Sequence, residues 1–175
     1  SIGESAFRNC TSFLGAVLPE GVTSIGDSAF EGCSSLSLVK LPASCTTLGK
    51  KLFAKCESLA RIRVAEGNEA YLEINGSLYS KDGKTLINYA MGKNDKKFEI
   101  PAGVTTISAY AFAYGSSLNE VVIPSSVTII DDNAFLGCNS LTKVVIPTGV
   151  TTIGKNAFYS CTYLESVEIS STVTS

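Results

Sequence analysis

Leu141-Thr142-Lys143-Val144-Val145-Ile146-Pro147-Thr148-Gly149-Val150-Thr151-Thr152-Ile153-Gly154-Lys155-Asn156-Ala157-Phe158-Tyr159-Ser160-Cys161 is the stretch that decides the fold. Its hexapeptide Ile153 to Phe158 returns as Ile25 to Phe30 and Ile130 to Phe135, and more loosely as Ile2 to Phe7, Leu48 to Phe53 and Ile107 to Phe112. Phenylalanines therefore stand at 7, 30, 53, 112, 135 and 158, with gaps of 23, 23, 59, 23 and 23. The gap of 59 is two repeats of 23 plus 13 inserted residues. A unit this short cannot bury its own apolar face. Stacked as coils of a solenoid, such units turn each apolar position into a ladder and make the core continuous along one axis.

Within a unit, Val121 and Ile123 alternate with Glu120 and Val122, the period of two of a strand with one buried face. Pro124 and its equivalents at 19, 42, 101 and 147 cannot donate to a sheet ladder, so each marks where the coil leaves that strand. The β-branched Val-Thr-x-Ile that follows predicts a second short strand. The Gly-x-x-Ala-Phe segment predicts a helical or 3₁₀ turn carrying Phe inward, which makes the fold class a β-rich α/β solenoid.

The long repeat runs from Val64 to Ile100, where 36 residues replace 23. Gly76 to Ser80 and Lys84 to Tyr89 flank Lys81-Asp82-Gly83, and Asp-Gly between alternating apolar and polar residues is a hairpin signal. Lys93-Asn94-Asp95-Lys96-Lys97 reads as a solvated return loop to the strand Phe98-Glu99-Ile100. The expectation is one domain over 1–175, with a hairpin inserted at about 65–100 that projects from the stack. Without the 13 inserted residues, 162 remain, seven repeats plus one, so Ser175 stands at the phase of Ser1. Neither end supplies the polar capping repeat that solenoids use, and the chain reads as an excerpt of a longer array.

Composition narrows the chemistry. The chain has 175 residues, 14 basic and 16 acidic side chains, a pI near 5.2, and no histidine or tryptophan. Without histidine, the commonest general base and metal ligand is missing. A pI near 5.2 with no run of like charges argues against a nucleic-acid binder, which needs concentrated Lys and Arg to displace counterions from phosphates. No apolar run approaches the roughly 18 residues of a membrane span, and Ser1 opens no signal peptide. Five of six cysteines, Cys10, Cys33, Cys56, Cys138 and Cys161, share one repeat phase. In-register coils lie about 4.7–4.9 Å apart with parallel side chains, whereas a disulfide needs Cβ atoms about 3.5–4.5 Å apart and turned toward each other. They read as buried free thiols. Gly83-Lys84-Thr85 lacks the earlier glycine of a phosphate loop and reads as a turn. Asp131-Asp132 and Asn94-Asp95 lack EF-hand spacing. Asn9-Cys10-Thr11 and Asn75-Gly76-Ser77 match the glycosylation acceptor pattern.

The template Leu-x-x-Val-x-Ile-Pro followed by Val-Thr-x-Ile-Gly-x-x-Ala-Phe-x-x-Cys resembles the BspA-like leucine-rich repeats of microbial surface proteins. The resemblance covers essentially the whole chain, and the segment Asn75 to Ile87 is similar to an interruption such arrays carry. It departs from the template at Gly115, which replaces a cysteine, and at Cys45, which replaces a valine. The resemblance implies a right-handed leucine-rich repeat superhelix of about 23-residue coils, and a secreted or cell-surface protein. In some members that protein is an adhesin binding host matrix glycoproteins. It brings no catalytic constellation, cofactor or metal.

Alternation along the first strand places one outward row at Gly15, Leu38, Arg61, Lys97, Glu120, Lys143 and Ser166. A second outward row runs Val17, Lys40, Arg63, Glu99, Val122, Val145 and Glu168. Lys40, Arg61, Arg63 and Lys97 are expected to cluster beside Leu38 near the middle of one sheet about seven strands wide, with Val122 and Val145 as an apolar strip. This surface suits a protein or glycoprotein partner. The hairpin tip, with Lys81, Asp82 and Gly83 near Tyr71, Tyr79 and Tyr89, is a second candidate. The reading is a non-enzymatic binding module, with the adhesin role as what the resemblance implies, and without nucleic-acid binding, membrane insertion, metal or cofactor. Its rival is a structural spacer within a larger surface protein.

Overall fold

The computed structural model describes residues 1–174, so the phase of Ser175 lies outside the described residues. The strands are β1 (Gly15–Val17), β2 (Ser24–Ile25), β3 (Leu38–Leu41) and β4 (Thr47–Leu48), then β5 (Arg61–Val64), β6 (Tyr71–Ile74), β7 (Ser77–Ser80) and β8 (Thr85–Asn88). They continue with β9 (Lys97–Glu99), β10 (Thr106–Ile107), β11 (Glu120–Val122), β12 (Ile129–Ile130), β13 (Lys143–Ile146), β14 (Thr152–Ile153) and β15 (Ser166–Ile169). Each coil contributes one strand to each of two strips, and neighbours in a strip pair in parallel at the 23-residue period. Gly15 faces Leu38, Leu38 faces Arg61, and Ile107 faces Ile130. After each first strand the chain turns at proline, where the amides of Val22, Cys45, Val104, Val127 and Val150 donate to the proline carbonyl three residues back.

The Gly-x-x-Ala-Phe segment is not helical, and this corrects the α/β part of the expectation. Among the described residues the one helical turn is a 3₁₀ turn at Met91–Lys93. Ser28, Asn133 and Asn156 adopt φ of 56°, 57° and 58°, and Gly32 and Gly137 adopt 74° and 67°. Left-handed residues at every fourth position forbid a right-handed helix. They point alternate amides along the stack instead. Ser28, Phe30 and Gly32 donate to the carbonyls of Lys50, Leu52 and Ala54 at 2.9, 3.2 and 2.8 Å, while Glu31 and Cys33 close turns within their own coil. The turn is thus a third hydrogen-bonded strip, and the fold is a β-solenoid.

The side-chain ladders run parallel to these strips. Phe7, Phe30 and Phe53 stack at 5.3 and 5.8 Å between ring centroids, and Phe112, Phe135 and Phe158 at 4.7 and 5.0 Å. Tyr89 stacks on Phe112 at 5.3 Å and holds the phenylalanine position of the long repeat. All six cysteines are free. Four thiols donate across the stack: Cys33, Cys56, Cys138 and Cys161 reach the carbonyls of Phe7, Phe30, Phe112 and Phe135 at 3.0 to 3.2 Å. Gly115 has no such donor, and the Tyr89 carbonyl it leaves open is taken by Asn88 Nδ2 at 3.1 Å.

The insertion does not project. β7 pairs antiparallel with both β6 and β8, within a sheet ordered β6-β7-β8-β10-β12-β14. A second tight turn, Asn75-Gly76 with φ of 50° and 81°, joins β6 to β7. β7 is buried on both faces: Leu78 packs into the core of the first coils beside Phe53 and Ile62, and Tyr79 into the later core beside Leu86 and Phe112. The hairpin also divides the first strip. One sheet is β1-β3-β5, the other β9-β11-β13-β15, and the edge of β5 is met by the Asn75-Gly76 turn, where Ile62 N donates to Gly76 O at 2.8 Å. Gly92 seals the same seam. Its amide donates to Leu59 O at 2.8 Å, and a Cβ there would lie 2.2 Å from the Ser58 carbonyl carbon, so the contact requires glycine.

Leu78→Ala and Tyr79→Ala are each expected to cost about 3–4 kcal/mol in denaturant unfolding, against less than about 0.5 kcal/mol for the exposed Lys84→Ala. Equal, small costs for all three would contradict a strand shared by two cores.

Candidate functional site

The outward rows appear where alternation puts them. On the β1-β3-β5 sheet, Ala16, Val39 and Ile62 face the core, while Val17, Lys40, Arg61 and Arg63 are exposed and Leu38 is half-buried. The register sets Leu38 beside Arg61 and Lys40 beside Arg63. Arg61 Nε lies 3.5 Å from Glu73 Oε1. Lys40 and Arg63 form no ion pair among the described residues. Two like charges at neighbouring positions repel each other, and Glu20, whose carboxyl the Ala43 amide and Lys40 help to hold below its ordinary value, acts on the pair at longer range.

Lys97 does not join them. It lies on β9, at the edge of the other sheet, with Nζ 3.3 Å from Glu120 and 3.4 Å from Glu99. Hydrogen bonding to the Glu120 carboxylate raises its pKa above the ordinary lysine value. The expected four-residue cluster is thus three residues, because the inserted strands part β5 from β9. Both lysines of the later sheet are paired: Lys143 Nζ also sits 2.8 Å from Glu168. Val122 and Val145 are exposed there, and a groove of about 450 Å³ opens between β11 and β13, whose ladder holds only Glu120 against Lys143.

The hairpin candidate is corrected more sharply. Tyr79 and Tyr89 are 0% and 1% exposed, so neither ring offers a contact surface. Burial pushes the Tyr79 phenol up to about 12, and the Tyr89 hydroxyl donates to Asp95 at 3.0 Å. Lys81 and Asp82 are exposed but committed: Lys81 Nζ donates to Asn68 O at 2.6 Å, and Asp82 Oδ1 accepts from Ser80 Oγ at 2.6 Å and Lys84 N at 3.0 Å. These four residues tie the insertion together. The burial of Tyr89 was legible in the sequence, because 89 lies 23 before Phe112.

The remaining buried acid is Glu31, its side chain 4% exposed, with Lys51 Nζ at 2.7 Å and Arg8 Nε at 3.2 Å. Arg8, Glu31 and Lys51 come from three successive coils. Burial opposes its ionisation, yet the Lys51 ammonium, the Ser28 hydroxyl and the Arg8 guanidinium outweigh burial and hold the carboxyl below its ordinary value. An acid so paired is a brace between coils and is not poised as a general acid. Among the described residues no group of three or more Cys, Asp or Glu could hold a metal ion. Among the described residues, no helix is long and apolar enough to cross a membrane.

The family model described as BspA type leucine rich repeat region matches six copies across residues 1–82 and 85–175. Among solved structures, a leucine-rich repeat protein from Eubacterium ventriosum is similar at 29% identity and a TM-score of 0.78, over 98% of this chain and 58% of that one. The pneumococcal vaccine antigen PcpA is similar at 30% identity and a TM-score of 0.70, over 85% of this chain and 42% of that one. A leucine rich cell surface protein from Faecalibacterium prausnitzii is similar at 26% identity and a TM-score of 0.59, over 97% and 63%. The chain thus spans between 42% and 63% of the length of these three structures. No curated protein matches it.

Because the Glu31 carboxyl is lowered in the folded protein, the stability it supplies is present above the ordinary carboxyl value of 4.5 and is lost as pH falls through the lowered one. Glu31→Gln is expected to cost about 2 kcal/mol at neutral pH, and the gap to the parent protein should close in acid. A gap that stays constant down to about pH 3 would contradict the ion-paired assignment.

Proposed function

The chain belongs to the BspA-type leucine-rich repeat family, and on that premise we propose that it is a non-enzymatic binding module of a bacterial surface protein. It engages an acidic protein or glycoprotein through the face of β1, β3 and β5. The observation that carries this reading is the neighbouring pair Lys40 and Arg63, exposed on a rigid sheet without an ion pair among the described residues. Such a pair costs folding stability and lowers the cost of meeting an acidic surface. The half-buried Leu38 and the exposed Val17, 71% accessible, add apolar contact beside it. β3, which carries Lys40, is paired on both sides, and a backbone so fixed loses little entropy on binding.

A surface location is supported by the similarity to a protein described as a cell surface protein. Binding of host matrix glycoproteins, the adhesin role, is the finer form of the reading. The absence of histidine and the braced state of Glu31 support a role without catalysis. A spacer role is the second reading. It is favoured by the later sheet, where both lysines, Lys97 and Lys143, are paired with the glutamates Glu99, Glu120 and Glu168, so that no unpaired basic group is left there for an acidic partner.

Binding of the purified chain to a panel of matrix glycoproteins, mucins and glycans at near-physiological salt tests this. Lys40→Glu with Arg63→Glu is expected to weaken binding at least about tenfold while the melting temperature is kept. Lys97→Glu with Lys143→Glu should change affinity by less than about twofold. Equal loss in both variants, or none in the first, would move the site off the β1-β3-β5 face, and no binding at all would favour the spacer.

A further inference from the structure

Apart from the strand face, we infer that the open edge of the turn strip beside the insertion is a binding site for a short polypeptide segment. The segment's backbone carbonyls accept hydrogen bonds from the amides of Lys51, Phe53 and Lys55.

The inference starts from the regular seams. At each regular seam, three alternate turn amides donate to the coil that follows. Tyr110, Phe112 and Tyr114 donate to Asp132, Ala134 and Leu136 at 3.3, 2.8 and 2.7 Å, and Asn133, Phe135 and Gly137 to Lys155, Ala157 and Tyr159 at 3.0, 2.8 and 2.8 Å. The equivalents in the coil before the insertion are Lys51, Phe53 and Lys55. Lys51 and Lys55 hold φ of 59° and 61°, the same left-handed conformation as Ser28 and Gly32, so this coil has the shape that aims its amides along the stack. No carbonyl of the described chain receives them. The inserted β6 and β7 have displaced the turn of the next coil, and the aromatic ladder breaks at the same place, between Phe53 and Tyr89.

A cavity of about 270 Å³ lies where the missing turn would be, with Lys51 and Phe53 on one wall and Ser108 and Tyr110 on the other. It far exceeds the roughly 10–15 Å³ that one water needs. Leu78 and Ile87 give it an apolar floor that suits a small apolar side chain. Lys50 and Asp131 both line the cavity, so its wall carries charges of both signs beside the apolar floor.

The spacing of the donors selects the ligand class. Three amides at alternate residues match the alternate carbonyls of a polypeptide, as in strand addition to an open sheet edge. A compact anion would reach one or two of them. Unmade hydrogen bonds of backbone amides carry a cost that binding would remove.

The probe is an acetylated, amidated peptide Ile-Asp-Asp-Asn-Ala-Phe-Leu-Gly, the sequence of residues 130–137, whose carbonyls already accept such a row from Tyr110, Phe112 and Tyr114. It is titrated to about 1 mM into the ¹⁵N-labelled whole chain, beside a peptide of scrambled order. The expected result is a saturable downfield shift and slowed exchange of the Lys51, Phe53 and Lys55 amides, absent with the scrambled peptide and unchanged in Lys40→Glu with Arg63→Glu. Ala109→Phe, which fills the cavity, should abolish the response while the melting temperature is kept. If that variant does not fold, the free parent protein decides: the three amides should exchange at least about tenfold faster than those of Ser28, Phe30 and Gly32. Equal protection in the free protein, or no saturable shift with the ordered peptide, would overturn the inference.

Discussion

A coil of this protein cannot satisfy its own backbone. Its turn is too short to be a helix and its strands have no partner within the repeat, so the alternate amides and carbonyls of all three strips must be met by the coil 23 residues away. Everything else is subordinate to that register. Asp27 Oδ1 accepts from Lys50 N at 2.8 Å, Asp132 Oδ1 from Lys155 N at 2.7 Å, and the hydroxyls of Ser37, Thr128 and Thr151 reach carbonyls 23 residues back. Side chains that look interchangeable in one repeat are cross-braces in the stack.

The insertion is where this rule is broken and then repaired. Thirteen residues cannot complete a coil, so the chain adds two strands, β6 paired with β7 and β7 paired with β8, in place of the coil before them. Polar side chains fill the gaps this leaves. Asn68, 1% exposed, stands where other repeats carry valine or Cys45, and its Nδ2 donates to Pro42 O and Cys45 O at 2.9 and 2.8 Å. Its Oδ1 accepts from Ala70 N and Tyr71 N. One buried amide thus joins the insertion to the preceding coil. The repair is incomplete on the turn strip, which is why the seam holds a cavity and the basic sheet ends at β5.

The period, the two strand strips, the outward rows and the Asp-Gly hairpin were legible, because each follows from spacing or alternation along the chain. The turn conformation was not, since Gly-x-x-Ala-Phe fits a helical turn by propensity, and only the demand for inter-coil hydrogen bonds drives Ser28 and Asn133 to positive φ. The course of the insertion was half legible. Asn75-Gly76 is as strong a turn signal as Asp82-Gly83 and marks the second hairpin, and the phase of Tyr89 marks its return to the core. That β7 would be buried on both faces could be suspected from the apolar Leu78-Tyr79 pair, but what covers each face is a tertiary fact. The split of the basic cluster follows from it: charge spacing along the sequence sets Lys97 next to Arg61 in one outward row, and only the path of the inserted strands removes it.

The central claim is that β7 is the shared wall of two half-solenoids, and native-state amide hydrogen exchange tests it most directly. The account predicts that the β7 amides, Leu78 and Tyr79 among them, exchange as slowly as those of Ile130 and Val144 in the regular coils, because opening them requires opening a core. Exchange in β7 as fast as in the exposed Asn94 to Lys96 loop, with the flanking coils still protected, would contradict it.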